Sequence, residues 1–493
     1  MAGTGLGVLA KAAFRIEGGE VSGTGLVLST YPLTPTLADA EEMVLGGSDM
    51  IPFLSEGMED EYQFDYDQTL IGGAATPSSD IVGIKGSGSL EIAAMYDGLD
   101  ALIGCALGFE RPDLTGYSPV YENSVALEAA AGITASTWKD ENDVFTSTAV
   151  DAGKFIKVKD GTGAMQVRRI SAVTDTKTCT ITPDWDTPTT GETPSAADTA
   201  VMAFEFTHTF ECCNNLMDQL WSDVYGSLPA GVLIATDQII RRGTLGIEKN
   251  QTYPWIFRSC MVNSMSFKGS SGSAITMSAD LVPFDLDRVS NTTNPASTTW
   301  DWDNSSDIFE MNERVIYSDI DYIQVAVAGD APLDSGDNMG ISSFELAINN
   351  NLQVDDQDAT TGNYRTAPAR GGMREITGSF TIPRYENDTW LDWRDDQEKL
   401  IAKISVSGST LTGDARNMTI YINSFKLEKA SVPVTGAEAL NQTFNFRAFV
   451  PASTPTGFPA QTALEDNNPL GEITITTLNQ SPWNVFCDMN KEY

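Results

Sequence analysis

The chain has 493 residues, with 30 Lys plus Arg against 68 Asp plus Glu, and a formal net charge of −38. That length predicts roughly two to four domains, and the charge excludes a protein that grips nucleic acid, because tight binding needs cations that displace counterions from phosphate. An apolar content of 41% is enough to build cores, so the acidity favours solubility and works against premature self-association rather than marking disorder. No basic stretch leads into an apolar one at Met1 and no apolar run approaches ~18 residues, so a soluble chain without export signal or membrane span is expected.

Residues 1–20 read as an N-terminal arm. Within them Gly3-Thr-Gly5-Leu-Gly7 has glycine spacing but neither a preceding strand nor the completing glycine of a nucleotide loop. A first unit is expected over 21–109 and 205–290. Its Gly88-Ser-Leu-Glu-Ile92 reads as a strand leading into a helix. The helical stripe is Leu99, Leu102, Ile103, Ala106 and Leu107, with Asp97 as N-cap and Gly108 as stop. Residues 110–204 carry a β pattern of their own in Phe155–Val158, Val167–Val173 and Thr178–Ile181. The Pro- and Thr-rich stretch 183–194 serves as a return link. The only histidine, His208, shares a strand face with Phe204, Phe206 and Phe210, which is a core position rather than a catalytic one. A second helix is expected after Asn214 or Asn215, with Leu216, Leu220, Trp221 and Val224 inward.

Ala274–Val282 alternates cleanly, with Ile275, Met277, Ala279 and Leu281 on one face. Residues 291–306 form the linker. The run Asp301-Trp-Asp303-Asn-Ser305-Ser-Asp307 opens like a calcium loop but has Ser306 where glycine is needed and Asn312 where glutamate is needed. A second unit follows over 307–455. It has a helix from about Asp388 to Leu400 with Trp390 and Trp393 inward, and a strand Gln442–Ala448 with Phe444 and Phe446 inward. Residues 456–493 read as a C-terminal arm. The six cysteines (Cys105, Cys179, Cys212, Cys213, Cys260 and Cys487) show no metal or disulfide spacing and read as buried thiols. Carboxylates are abundant, yet no spacing singles out an acid–base pair. No enzyme activity and no cofactor are expected.

A repeat organises these elements. Gly88–Ile92 matches Gly378-Ser-Phe-Thr-Ile382, and Asn263-Ser-Met-Ser-Phe267 matches Asn423-Ser-Phe-Lys-Leu427. The order strand, helix, strand, turn, strand occurs twice. The interval from Gly88 to Asn263 is about 130 residues longer than that from Gly378 to Asn423, which marks 110–204 as an insertion. The predicted fold is mainly β: two duplicated β-sandwich or barrel units, each with a packed helix, plus an inserted small β-barrel.

The segment Gly88–Gly108 resembles the strand-plus-helix of tail tube proteins (major tail proteins) of long-tailed, non-contractile bacteriophages. Arg258–Phe267 resembles the strand those proteins place after an E-rich strand and loop, here Thr244–Glu248. Ile341–Leu352 resembles the opening strand of their second half. The resemblance spans about 20–109 and 205–455. It implies a structural protein of the virion tail, made and assembled in the host cytoplasm. One sheet of each unit would join its neighbours around a ring, and rings would stack into a tube for DNA ejection. Two units per chain imply a trimeric, pseudo-hexameric ring, a hexamer being the alternative. Tape-measure protein and viral DNA would pass through the lumen without specific binding. Tail terminator and distal tail proteins would close the ends, with no membrane partner. The other readings are a different virion structural protein (tube-end ring, baseplate hub or decoration protein) or a secreted β-sandwich adhesin.

The outward faces of the repeat strands are nearly all small, polar or acidic and are the lumen-facing candidates. They are Glu91, Ser266, Lys268, Thr276, Ser278 and Asp280 in the first half. In the second they are Thr377, Ser379, Thr381, Lys426, Glu428, Asn441, Thr443 and Asn445. For stacking, the loops Asp67–Lys85 and Gln353–Glu375 exceed a hairpin's usual length. Arg365, Arg370 and Arg374 in the second loop are expected to meet Glu56, Glu59, Asp60 or Glu61 of an adjacent ring.

Overall fold

The computed structural model describes residues 10–16, 21–22, 25–26, 50–66, 79–110, 120–158, 167–182, 194, 196, 198–212, 242–249, 255–288, 313–329, 331–354, 371–411, 413–432, 440–459 and 471–481. The expected helix after Asn214, the glycines at 3–7, the linker 291–306, Arg365, Arg370, Cys213 and Cys487 lie outside them. The fold is mainly β, as the alternation predicts: one 19-stranded hydrogen-bonded network, a six-stranded sheet and a two-stranded ribbon.

Nine strands of the large network matter most for function. They are β1 (Phe53–Glu56), β2 (Glu59–Tyr66), β3 (Ser79–Ala93), β4 (Trp255–Ser270), β5 (Thr276–Val282), β6 (Ser343–Asn349), β7 (Glu375–Ile382), β8 (Ala415–Ser431) and β9 (Gln442–Ala448). With β1 and β2 sharing one side of β3, they pair antiparallel throughout in the order β1/β2, β3, β5, β4, β6, β7, β9, β8. The sheet is thus eight strands wide.

The long strands β4 and β8 each belong to two layers. Residues 255–261 of β4 pair with Arg242–Glu248, which pairs in turn with Lys11–Ile16, while 264–270 pair with β6. Ser259, at φ 49°, and a register shift between Val262 and Ser264 bend β4 at the crossover. Residues 417–422 of β8 pair with the C-terminal strand Ile473–Asn479, and 425–431 pair with β9. Between the layers lies one apolar cluster. Leu90, Met277, Phe267, Leu346, Phe380, Phe444 and Phe446 meet Phe14, Leu245, Ile404, Ile420 and Ile475 there, without a break between halves. At ~25 cal/mol per Å² of apolar surface, this shared burial is the main stabilising contribution and fuses the halves.

Helix α1 (Asp100–Leu107) ends at Gly108 with φ 98°, as its sequence predicts. Its start differs: the cap position is Leu99 and makes no side-chain cap. Asp97 instead accepts hydrogen bonds from Gln480 N (2.9 Å) and Arg416 Nε (3.0 Å), and Asp100 from Thr477 Oγ1 (3.1 Å) and Asn479 Nδ2 (2.9 Å). Asp97, which read as the cap, thus anchors the C-terminal strand to the helix instead, together with Asp100. Helix α2 (Thr389–Asp395) is shorter than expected and gives way to a strand beginning at Leu400. Trp390 is buried against Phe444, with ring centroids 4.3 Å apart.

Residues 125–203 form the six-stranded sheet around Leu127, Trp138, Phe145, Ile156, Ile170 and Ile181. Its two outer strands, Val125–Glu128 and Thr137–Lys139, meet through Ala130 N to Lys139 O (2.8 Å) and Glu141 N to Glu128 O (2.9 Å). The sheet therefore curls back on itself. Strand Val120–Glu122 belongs to the large network, pairing with 205–207.

The two halves share an element order, but the two motif matches imply different registers. Leu90 faces Ala279 and Phe380 faces Phe444, so the first match aligns Ala279 with Phe444. Phe267 faces Met277 and Leu427 faces Phe446, so the second aligns Met277 with Phe446 and hence Ala279 with Ala448.

Candidate functional site

Directly opposed residues of an antiparallel pair lie on the same face of the sheet. Following the pairing across all eight strands therefore defines two complete faces. One is apolar and forms the core. The other carries Ser55, Ser89, Glu91, Thr276, Ser278, Asp280, Ser264, Ser266 and Lys268 from the first half. Ser343, Glu345, Ala347, Asn349, Glu375, Thr377, Ser379, Thr381, Arg447, Asn445, Thr443, Lys426, Lys429 and Ser431 continue it in the second.

Hydroxyls and ion pairs lace this face across the strands. Ser55 Oγ donates to Glu91 Oε2 at 3.1 Å and Ser264 Oγ to Asp280 Oδ2 at 2.5 Å; Ser266 and Ser278 hydroxyls lie 2.7 Å apart. Thr381 and Thr443 hydroxyls lie 3.2 Å apart. Lys268 Nζ sits 2.9 Å from Glu345 Oε1 across the β4·β6 junction, and Arg447 Nη2 sits 2.5 Å from Glu375 Oε1. Such half-exposed pairs add little stability, roughly 0–1 kcal/mol each. They do set which strands lie side by side.

Twelve of the fourteen lumen candidates occupy paired positions on this face. Asn441 precedes β9 in the same alternation, and Glu428 falls at the register shift of β8; both are exposed. Sequence reading missed Ser343, Glu345 and Asn349 of β6, whose alternation with Phe344, Leu346 and Ile348 was available as a signal. It also missed Glu375 and Lys429, and it read Arg447 as outward without counting it among the lumen candidates. Glu59, Glu61, Glu91, Asp280, Glu345, Glu375 and Glu428 stand against Lys85, Lys268, Lys426, Lys429 and Arg447, so the face carries only a small excess of acid. The net charge of −38 is carried elsewhere.

The stacking candidates separate. Glu56 is engaged within the chain by Lys249 Nζ (2.7 Å) and Met58 N (3.0 Å). Glu59 and Glu61 on β2 are exposed and oppose Ser87 and Lys85, continuing the polar face, whereas Asp60 points the other way. Arg374 is not available to a neighbouring ring. Its side chain is 1% exposed, 3.6 Å from Glu472 Oε2, and donates to Asn350 Oδ1 (3.2 Å) and Leu107 O (3.1 Å). Asn350 Nδ2 donates in turn to Ala106 O (3.0 Å) and Val262 O (2.9 Å). A cation at the C-terminal end of α1 satisfies carbonyls the helix leaves open. That internal demand could not be read from the loop sequence.

His208 is buried, its Nδ1 2.7 Å from Glu110 Oε1 and its Nε2 3.0 Å from Ser481 O. Burial alone would lower its pKa, but the charges of Asp100 and Glu110 prevail and hold it up at about 9. The imidazolium is a tie between the strand 205–212, Glu110 and the chain after Asn479. Cys105, Cys179, Cys212 and Cys260 are all buried. Among the described residues no group of three His, Cys, Asp or Glu side chains converges as metal ligands.

The sheet ends in two edges that have no strand partner among the described residues, one along β1–β2 and one along 426–431 of β8. The β2–β3 hairpin also exposes Tyr62, Phe64, Tyr66, Ile81 and Val82, each more than 40% accessible. Among the described residues the eight-stranded sheet is thus polar on one side and unpaired at both edges. Residues 64–448 match the family model for phage tail tube proteins, and the chain belongs to that family. It is a structural protein of the bacteriophage virion tail. No curated protein matches the chain. Among the described residues no helix is long and apolar enough to cross a membrane.

Proposed function

We propose that each chain contributes its eight-stranded sheet as a sector of a closed barrel, with the polar face lining the lumen of the tail tube and the apolar face covered by the second layer. The observation that carries this is the continuity of the polar face from β1 to β8 across both halves. Each half supplies four strands, so the chain counts as two fused tube units. An even number of strands lets any number of chains close with antiparallel pairing throughout, which removes every exposed edge.

Three chains then give a pseudo-sixfold ring. Its ~24 strands, spaced ~4.8 Å and tilted ~45°, make a backbone diameter of roughly 50 Å, narrowed by side chains to about 40 Å. That bore admits duplex DNA and a tape-measure protein with water around them. A wall of hydroxyls and balanced charges neither traps phosphate nor strongly repels it, and screening confines its field to ~8–10 Å. Rings stack through the β2–β3 hairpin, whose exposed aromatics gain by being covered, since a two-stranded hairpin alone is marginal. The six-stranded domain decorates the outside. Tail terminator and distal tail proteins close the ends.

Negative-stain microscopy of the purified chain tests this reading. Hollow filaments with a bore of about 40 Å are expected; isolated rings would reassign the protein to a tube end, and monomers at high concentration would overturn assembly by the chain alone.

A further inference from the structure

The β4·β6 junction joins the two halves, and its parts reappear at the far edges of the sheet, where no strand covers them among the described residues. We infer that the β8 edge, with Lys426 and Lys429, receives the β1–β2 edge of a second copy of this chain, with Glu59 and Glu61 brought against those lysines. The inference rests on the tube reading above and adds the residues that set the direction and specificity of closure.

Strand direction fits. In the order β1/β2, β3, β5, β4, β6, β7, β9, β8, the strands β4 and β8 run one way and β1, β2 and β6 the other, so a β8·β1/β2 joint is antiparallel like β4·β6. Charge fits as well. Lys268 of β4 pairs with Glu345 of β6 on the polar face. On that face β8 presents Lys426 and Lys429, opposite Arg447 and Asn445 of β9 on their inner side, with Glu428 at the register shift between them; with Arg447 behind, the edge is net basic, while β2 presents Glu59 and Glu61. Two β8 edges, or two β2 edges, would set like charges together, which disfavours head-to-head pairing.

The helix ends give an independent third observation. At the internal joint Asn350 and Arg374 fill the end of α1 by donating to Ala106 O and Leu107 O. The corresponding end of α2 opens on a cleft of about 750 Å³ whose lining includes the bases Arg394, Lys426 and Arg447 and the acids Asp395 and Glu428. The cleft runs beside the β8 edge where the base of a neighbour's β2–β3 hairpin would enter. Arg394 Nη1 reaches Ala430 O at 3.5 Å, so this side chain shields one edge carbonyl until the neighbour docks.

Charge reversal tests the joint. Wild type, K426E/K429E, E59K/E61K and the fourfold combination are compared by sedimentation and microscopy, with circular dichroism to confirm folding. Each reversed pair replaces attraction by repulsion, so either double variant is expected to raise the critical concentration for assembly about tenfold or more. The fourfold chain restores assembly, because attraction returns at every joint. A cysteine pair, K429C with E59C in one chain, is expected to oxidise into covalent oligomer ladders in assembled material. Wild-type chains that stay monomeric would defeat the tube reading itself. Wild-type tubes accompanied by unimpaired double variants, by no rescue in the fourfold chain, or by no ladders would overturn this joint alone.

Discussion

Arg374 shows how an exposed-looking charge becomes a structural one. The sequence places it in a loop beside other arginines, where a surface role is the natural expectation. In the fold its guanidinium bridges the end of α1 and Asn350. Replacing it by methionine keeps the length but leaves Leu107 O and Asn350 Oδ1 without their donor, at a cost of about 2–4 kcal/mol. Urea unfolding would show this as a lowered midpoint; a change under ~0.5 kcal/mol would refute the internal role. His208 gives a pH-dependent counterpart. Its folded pKa of about 9 exceeds its ordinary value, so its stabilisation is full below about pH 6.5 and is lost as pH rises through about 9. Melting temperature is expected to fall across that window. The double variant Glu110→Gln, His208→Gln, which keeps neutral hydrogen-bonding groups in place, is expected to flatten the dependence; an unchanged slope would count against the buried ion pair. At this scale alternation identified the polar face well, because period two is written directly into each strand. Buried charge was illegible, because Asp97 and Asp100 meet partners more than 300 residues away and Arg374 reaches a helix end 267 residues before it.

At the scale of elements, strands were legible and their registers were not. Ala274–Val282 and Gln442–Ala448 bury the residues their alternation assigns inward. The two motif matches nevertheless disagree by four residues, since small-residue motifs recur wherever a strand packs closely against a neighbour. Gly88 and Gly378 illustrate the cause: a Cβ would come within 2.5 Å of Gly57 O at the first and within 2.4 Å of Phe446 Cζ at the second. Both glycines answer local packing, so their likeness does not fix equivalence. The boundary of the inserted domain also moves. Val120–Glu122 pairs with 205–207, so a deletion of 112–203 would strip a strand from the large network. Removing 125–202 behind a short flexible linker spares that strand. Such a chain is expected to melt within a few degrees of the parent and to form thinner tubes of unchanged bore. Failure to fold would show that the six-stranded domain supports the main network.

At the scale of the whole molecule, the acidity read from composition does not line the candidate lumen. The polar face carries acids and bases in near balance, so the excess negative charge lies on other surfaces. Charge of that size works against non-specific self-association. The single core running through both halves makes the within-chain junction permanent, whereas the proposed between-chain junction would rest on a sheet edge and a few charges. In the proposed tube, that division of strength would make the chain the unit of assembly and the ring a reversible step before stacking. A helical reconstruction of assembled filaments measures this most directly. The expected map shows an inner barrel of about 24 strands in which 426–431 of one chain lie beside β1–β2 of the next, with Glu91, Ser278, Thr377 and Thr381 facing the bore. A map with those residues on the outer wall, or with β8 left unpaired, would contradict the account.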